Sequence, residues 1–159
     1  MRLFVAIFPP PEAREALSKA RSGLRVKGET RWTRPENIHL TLKFLGEVPE
    51  ETTKRITDAL KEIAKRHATF DLTPSDFGGF PSERKARVIW AGMDGEVNRL
   101  RALAKDVEDA LEAEGFEREK REFSPHLTLG RARKRPVSLE VKREAMIPGF
   151  EVKEMRLVK

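Results

Sequence analysis

The tetrapeptide His-Leu-Thr-Leu occurs twice in this chain of 159 residues, and this repeat constrains the fold more than any other feature of the sequence. The copies span residues 39–42 and 126–129, so they lie 87 residues apart. The same offset maps Leu3, in an apolar run near the start, onto Trp90 in a second apolar run. Strand, helix and motif therefore align in both halves, which indicates an imperfect duplication of a β-α-β-β unit.

Apolar spacing predicts the elements of the first half. Leu3–Phe8 is almost wholly apolar and predicts a buried strand, and the three prolines that close it predict the start of a helix. The apolar stripe predicts that this helix extends as far as Leu24. The remaining predictions are a strand at Ile38–Leu45, a helix opening at Pro49 and a strand at Phe70–Thr73.

The second half repeats this order. The predicted elements are a strand at Val88–Met93, an N-cap at Asp94, a helix from Val97 to Leu111 closed by Gly115, and strands at Phe123–Gly130 and Phe150–Lys153. The strands at Phe70–Thr73 and Phe150–Lys153 are taken as matching third strands. The pattern predicts an α+β fold with one domain over residues 1–159. Two pseudo-symmetric lobes, at about 1–75 and 76–159, would pack helices on antiparallel strands around a central cleft.

Charge and composition limit the partners. The chain has 32 Lys and Arg against 26 Asp and Glu, and the net charge of +6 favours anionic partners such as RNA. The absence of cysteine excludes disulfides, thiolate nucleophiles and cysteine-based zinc sites, and it suits a cytoplasmic protein. The sequence has no apolar run of roughly 20 residues, so we expect no membrane attachment; we also expect a monomer. The three histidines form no close-spaced ligand pair, so we expect no metal. The sequence has no P-loop and no dinucleotide-binding fingerprint, so we expect no cofactor.

Side chains alternate between the two faces of a strand, so each motif presents its histidine and threonine together. His39 and Thr41 project to one side and the neighbouring leucines to the other, and the same holds for His126 and Thr128. Two imidazoles on opposite sides of a phosphate can act as general acid and general base, because the unperturbed pKa of histidine lies near neutrality. The two hydroxyls would hold the non-bridging phosphate oxygens.

A histidine on a half-buried strand is more often structural than catalytic. Two of the three histidines, however, lie at matching positions of the repeated tetrapeptide, although the flanking sequences RPENIHLTLKFLGEV and KREFSPHLTLGRARK have otherwise diverged. The pairing therefore favours a catalytic role over a structural one.

Several segments carry a resemblance to a known family. They are RLFVAIFPP, IHLTLKFLGEV, FGGFPSERKARVIWAG and FSPHLTLGRA. Together they resemble the 2H phosphoesterase superfamily, specifically the RNA 2′,3′-cyclic phosphodiesterases once called 2′-5′ RNA ligases. The resemblance covers nearly the whole chain. It implies a bilobal α+β fold, no metal requirement, and hydrolysis of a 2′,3′-cyclic phosphate at an RNA end to a 2′-phosphomonoester.

The resemblance also implies roles for the motif residues. His39 would protonate the departing 3′ oxygen, His126 would activate water, and Thr41 and Thr128 would bind phosphate. The acid and base assignments could be reversed. Arg131 matches an arginine that the family places near the phosphate, but strict alternation puts it on the face opposite His126, so it needs a β-bulge or a strand end to reach the cleft.

Four further residues are candidates for RNA binding. Lys43 shares the predicted face of His39 and could approach the phosphate. Phe80, taken to lie in a loop after two glycines, could stack on a base. Trp32, between two arginines, combines an aromatic ring with cations, and Arg133 belongs to a basic run after the second motif that could meet backbone phosphates.

Three functions remain open on the sequence. The first is a metal-independent RNA 2′,3′-cyclic phosphodiesterase, with weak reversible 2′-5′ RNA ligation as a further expectation because the same histidines could catalyse both directions. The second is a non-catalytic module that binds RNA ends. The third is a 2H phosphodiesterase that acts on a small cyclic nucleotide or a nucleotide-sugar cyclic phosphate.

Overall fold

A computed structural model describes residues 1–142 and 146–159 of the chain. The helices are α1 (Pro11–Ala20), α2 (Thr53–Lys65) and α3 (Val97–Ala113). The strands are β1 (Arg2–Ile7), β2 (Leu24–Lys27), β3 (Thr30–Trp32), β4 (Leu40–Glu47), β5 (Phe70–Pro81), β6 (Ala86–Gly95), β7 (Leu127–Ala132), β8 (Ser138–Val141), β9 (Phe150–Val152) and β10 (Arg156–Val158).

Most of the strands form one antiparallel sheet with the order β10-β1-β4-β7-β6-β5-β9, and β3 pairs with β7 beside this path. β2 and β8 form a separate two-stranded sheet. The two motif strands, β4 and β7, are neighbours at the middle of the large sheet, and they pair through Leu40 and Leu127. Further along β7, β3 takes the place of β4 as its partner. β4 and β7 therefore pair only at Leu40 and Leu127 and separate beyond this contact.

The helices bury the apolar stripes that their sequences predict. α1 begins at a proline and buries Ala13 and Leu17, and α2 buries Ile56, Leu60 and Ile63. α3 buries five residues: Leu100, Leu103, Ala104, Val107 and Leu111. These stripes join the inward-facing residues of the sheet in one apolar core. The mixed helix and antiparallel-sheet fold predicted from the sequence is thus confirmed.

Two predicted helix boundaries are wrong. Leu24 is not in α1, because α1 ends at Ala20, a single 3-10 turn follows, and Leu24 begins β2. Asp94 is not the N-cap of α3, because β6 continues through Gly95, whose φ of +94° turns the chain. The N-cap is Glu96, whose backbone N–H donates to the Asp71 carbonyl at 2.8 Å.

The two halves of the sequence do not form two consecutive lobes. The predicted boundary at residues 75 and 76 falls inside β5, a continuous strand that extends the predicted Phe70–Thr73 to Pro81. The strands taken as third strands of separate lobes, β5 and β9, pair with each other, and β10 from the end of the chain pairs with β1. Segments of one half thus complete the sheet of the other, because buried strand edges need partners wherever they come from in the sequence.

Gly78 in β5 leaves room for the Trp90 ring, since a Cβ atom at this position would overlap Trp90 Cζ2. We expect Gly78→Ala to lower the free energy of unfolding by about 1–3 kcal/mol, because overpacking forces the ring out of place. Urea denaturation checks this value. Gly92→Ala in the paired strand is the control, because its Cβ would approach the movable Ser75 Oγ to 3.1 Å and every other atom no closer than 3.6 Å. Equal losses in the two variants would contradict the overlap.

Candidate active site

A β-bulge follows the second motif and turns Arg131 toward the cleft. In the β6–β7 pairing, Ile89 faces Gly130 while the next residue, Trp90, faces Thr128. The extra residue of the bulge is therefore Leu129, and it shifts the alternation by one position. As a result Arg131 lies on the same face as Thr128 and lines the cleft. The structure thus contains the bulge that strict alternation required for this arginine.

The first motif contains the same irregularity at the equivalent position. In the β1–β4 pairing, Val5 faces Lys43 and Ala6 faces Thr41, so Leu42 is the extra residue. Leu42 and Leu129 are separated by the repeat offset of 87 residues. The bulge turns Phe44 onto the cleft face, where it is 68% exposed. Phe44 is therefore the first-half counterpart of Arg131.

The two motifs meet at the backbone pair formed by Leu40 and Leu127. Each of these leucines directly follows the histidine of its motif. In an antiparallel register the residue before one leucine faces the residue after the other. His39 therefore lies across from Thr128, and the second histidine lies across from the first threonine. All four polar side chains line one cleft of about 1210 Å³.

Each catalytic candidate is oriented by a backbone carbonyl two residues before it. His39 Nδ1 lies 2.6 Å from the Asn37 oxygen, and His126 Nδ1 lies 2.8 Å from the Ser124 oxygen. A carbonyl oxygen can only accept, so Nδ1 carries the hydrogen in both rings. Nε2 is then the atom that gains or loses the catalytic proton, which is the orientation that acid–base chemistry requires.

His39 packs against two phenylalanine rings. The ring centroids are 4.9 Å from Phe4 and 5.2 Å from Phe8. Burial lowers the pKa of His39, and the positive charges of Arg131 and His126 lower it further, while the bond to the Asn37 carbonyl opposes these effects. In the free protein His39 is thus held toward its neutral form.

His126 contacts Phe80 edge-on, with ring centroids 5.4 Å apart. Phe80 in turn packs on Trp90 at 5.1 Å. Phe80 lies in β5, not in the predicted loop, because the β5–β6 pairing extends beyond the two glycines. It lines the cleft and is 37% exposed, so its position beside His126 is compatible with contact to a bound nucleotide.

Lys43 reaches the cleft wall but is not a free cation. Its side chain is buried, and Nζ donates to Glu108 of α3 at 2.9 Å and to the Glu117 carbonyl at 2.8 Å. The second Glu108 oxygen accepts from the Glu119 backbone N–H at 3.1 Å. The bulge at Leu42 turns Lys43 away from the face of His39, so the predicted approach to a phosphate is wrong and the lysine joins β4 to α3 instead.

Other predicted candidates lie outside the cleft. Trp32 is half-buried against the core, and Arg21 stacks over its ring at 5.3 Å in place of the flanking arginines. Arg133 lies beyond the end of β7, where its backbone N–H donates to the Glu29 carbonyl. The third histidine, His67, contacts Asp106 at 2.6 Å. RNA binding by Trp32 and Arg133 stays a prediction without a contact to the site.

Sequence reasoning missed Phe4 and Phe8, which pack on His39, and Phe44, which lines the cleft. The first two were assigned only to a buried strand, and no local pattern relates them to a histidine 35 or 31 positions away. Phe44 could have been found, because the repeat offset maps it onto Arg131. Arg87 and Arg121 also line the cleft and add positive charge there.

Two features of the described residues, 1–142 and 146–159, bear on metal binding and on membrane insertion. Within them, three or more His, Asp or Glu side chains do not converge in a way that could hold a metal ion. None of the helices in these ranges is both long enough and apolar enough to span a bilayer.

An antiparallel sheet that brings two His-x-Thr motifs to one cleft defines a class, the two-histidine phosphoesterases. The sequence profile described as LigT like Phosphoesterase matches residues 7–90 and 92–157. The chain belongs to the LigT-like phosphoesterase family, as the resemblance in its motifs predicted.

Individual relatives agree with this assignment. An RNA 2′,3′-cyclic phosphodiesterase of Archaeoglobus fulgidus is 37% identical over 99% of this chain and 89% of its own length. A protein of the same name from Methanocaldococcus jannaschii is 34% identical over 100% of this chain and 91% of its own. The crystal structure of E. coli LigT complexed with 3′-AMP superposes with a TM-score of 0.77 at 31% identity, covering 99% of this chain and 86% of LigT.

Proposed function

We propose that the protein is an RNA 2′,3′-cyclic phosphodiesterase that converts a terminal cyclic phosphate into a 2′-phosphomonoester. Family membership and the names of its relatives support the substrate class. The observation that carries the proposal is the pair of histidines, each held by a carbonyl at Nδ1 and each facing the threonine of the other motif. Such an arrangement supplies two proton-transfer groups and two hydroxyls around one phosphate.

The chemistry needs one water and two proton transfers. His126 takes a proton from water through Nε2 as the water oxygen attacks phosphorus. The bond from phosphorus to the 3′ oxygen breaks, and His39 donates its Nε2 proton to that oxygen. Thr41 and Thr128 hold the non-bridging oxygens, and Arg131 stabilises the negative charge of the transition state. The products are a 2′-phosphomonoester and a 3′-hydroxyl, and proton exchange with solvent restores both histidines.

The acid role of His39 requires a proton that the free protein holds weakly. Burial and the charge of Arg131 lower its pKa, whereas a bound phosphate anion favours the imidazolium form. Substrate binding thus favours protonation of His39, the residue that must act as the acid. If a 5′-hydroxyl replaces water as the nucleophile, the same transfers form a 2′-5′ linkage, which accounts for the expected ligation.

The lowered pKa predicts a pH dependence. In NMR titrations we expect the His39 ring to gain its proton at a lower pH than an exposed histidine, and inorganic phosphate or Arg131→Gln to raise its pKa. The unfolded chain binds this proton more readily, so the contribution of His39 to stability is lost as the pH falls through the range between the two pKa values. Lys61→Gln, at an exposed position of α2, is the matched control. A pKa that neither change raises would contradict the proposed geometry.

The first experiment is incubation of the purified protein, in EDTA, with a short RNA that ends in a 2′,3′-cyclic phosphate. We expect a 2′-phosphate product, resolved from the 3′-phosphate by chromatography. Loss of turnover in EDTA would refute metal independence, and a 3′-phosphate product would refute the assigned leaving group. Binding without turnover would instead favour the RNA-end-binding module, and turnover of small cyclic nucleotides alone would favour the third function.

We also propose that the protein needs no cofactor and works as a monomer in the cytoplasm. The cysteine-free composition supports the reducing compartment. Size-exclusion chromatography with light scattering tests the monomer directly against the chain mass of 18.2 kDa.

A further inference from the structure

The cleft has a cationic end. Arg131 of β7 faces Arg31 of β3 in the antiparallel pairing, so both guanidinium groups project from the same side of the sheet. Thr33, two residues after Arg31, lines the cleft with Arg131, which places this side toward the cleft. Both arginines are exposed, and neither forms an ion pair among the described residues 1–142 and 146–159. Like charges directly across a strand pair repel, and an anion between them would relieve the repulsion.

The opposite end of the cleft carries an exposed aromatic ring, and Arg121 lines the same recess. Phe44 is the counterpart of Arg131 in the first motif, and β4 runs antiparallel to β7, so the two side chains lie on opposite sides of the contact between the motifs. The Phe44 ring has Phe4 as its aromatic neighbour, at 6.1 Å between centroids. With 68% of the residue exposed, a ring face is free. Phe80, by contrast, is engaged by Trp90 and His126.

We propose that these unlike ends hold an RNA 3′ end in one orientation, with its terminal base on Phe44 and its preceding phosphodiester on Arg31, while the neighbouring Arg131 stays on the reacting phosphate. This inference rests on the proposed function and adds the substrate polarity. An exposed aromatic ring binds any base by stacking, and an arginine side chain binds a backbone phosphate. The substrate class is therefore an oligonucleotide end, in preference to a cyclic mononucleotide.

The covalent structure of the nucleotide fits this polarity. In a ribose 2′,3′-cyclic phosphate the base is bonded beside C2′, and the chain toward the preceding phosphate leaves beside C3′. The proposed orientation therefore directs the 3′ oxygen toward the arginine end. His39, which lies across from Thr128 on that side of the motif contact, is then the histidine nearest the leaving oxygen. The orientation thus selects His39 as the acid from the two assignments that the sequence left open.

The test compares three substrates: a base-free five-membered cyclic phosphodiester, adenosine 2′,3′-cyclic phosphate, and a short oligoadenylate with the same terminus. We expect Phe44→Leu to raise the KM for the adenosine compound relative to the base-free compound about tenfold, because one stacking contact is lost. Phe44→Trp should restore the ratio. We expect Arg31→Gln to raise the KM for the oligonucleotide relative to the mononucleotide about tenfold and to reduce the salt dependence of that KM by about one charge.

Two variants serve as comparisons. Lys61→Gln removes an exposed charge on α2 and should leave both ratios unchanged. Phe80→Leu tests the reverse orientation, because Phe80 lies across β6 from Arg131. If Phe80→Leu alters the base-dependent ratio and Phe44→Leu does not, or if Arg31→Gln affects the two nucleotide substrates equally, the proposed orientation is overturned.

Turnover by the unmodified protein separates this proposal from the proposed function. If the protein hydrolyses the cyclic phosphate but the ratios do not change, the orientation fails while the function stands. If it does not hydrolyse the cyclic phosphate, equilibrium binding of an oligonucleotide, a mononucleotide and a base-free compound that each carry the corresponding phosphate supplies the same ratios. The orientation is then supported or overturned by binding alone.

Discussion

Replacing either His39 or His126 with alanine should lower the turnover number on an RNA 2′,3′-cyclic phosphate by at least about 100-fold, the usual size of a general acid–base contribution. Each ring supplies one of the two proton transfers, and its Nδ1 bond to a backbone carbonyl leaves Nε2 as the atom of that ring that exchanges the proton. Single-turnover kinetics with a radiolabelled RNA end measures the loss in the chemical step. Circular dichroism confirms that the variants are folded.

His67→Ala is the matched control for these variants. It removes the third histidine of the chain, which contacts Asp106 outside the cleft, so we expect turnover to stay near the level of the unmodified protein. The double variant of His39 and His126 should lose about as much as the worse single variant, because groups that act as a unit are not additive. A folded single variant with near-full turnover would refute the two-histidine mechanism.

The pH profile gives an independent check on the same mechanism. One histidine must be charged and the other neutral, so the rate should rise and then fall with pH. A rate that does not change between about pH 5 and 9 would contradict a pair of imidazoles, whose ordinary pKa values lie within that range.

Lys43→Met should lower the free energy of unfolding by about 3 kcal/mol, the largest stability effect that we expect from a polar substitution. The lysine is 5% exposed, and its removal leaves the Glu108 carboxylate without its cation and the Glu117 carbonyl without this donor. A largely buried carboxylate without its cation is costly because the protein interior solvates charge poorly. Urea denaturation measures the change, and the slope of the transition shows whether the unfolded state has changed.

Two companion variants isolate the cause. Lys54→Met breaks an exposed ion pair with Asp58 in α2 and should leave stability nearly unchanged, because solvent screens exposed charges. Adding Glu108→Met to Lys43→Met removes the unpaired carboxylate and should recover much of the loss. If the double variant is as unstable as the single one, the loss of stability comes from lost packing and not from the unpaired carboxylate.

The chemistry of the site was predictable because it depends on local patterns. Strand alternation alone places a histidine and a threonine of each motif on one face, and the structure brings both pairs to one cleft. The sequence also indicated that Arg131 needs a β-bulge, because strict alternation places its side chain on the face opposite His126. The identical bulge in the first motif was not foreseen, so Lys43 was placed on the face of His39 and Phe44 was missed.

Other features depend on which distant segments meet. The length of β5 follows from its pairing with β6 and β9. The sequence of Phe70–Thr73 predicts neither of these pairings. The buried ion pair between Lys43 and Glu108 joins residues that are 65 positions apart in the chain. The environment of His39, which lowers its pKa, comes from Phe4, Phe8 and Arg131, and these residues approach it only after the sheet has formed.

The sequence by itself determined the fold class, the repeat and the identity of the paired motif residues, because periodic burial and side-chain alternation act over a few neighbouring residues. Only the tertiary structure decided where the strands bulge, which strand completes which half of the sheet, and which cation is buried and which is free. These outcomes depend on long-range pairing and on the desolvation of charge, and both are properties of segments that are distant in the chain.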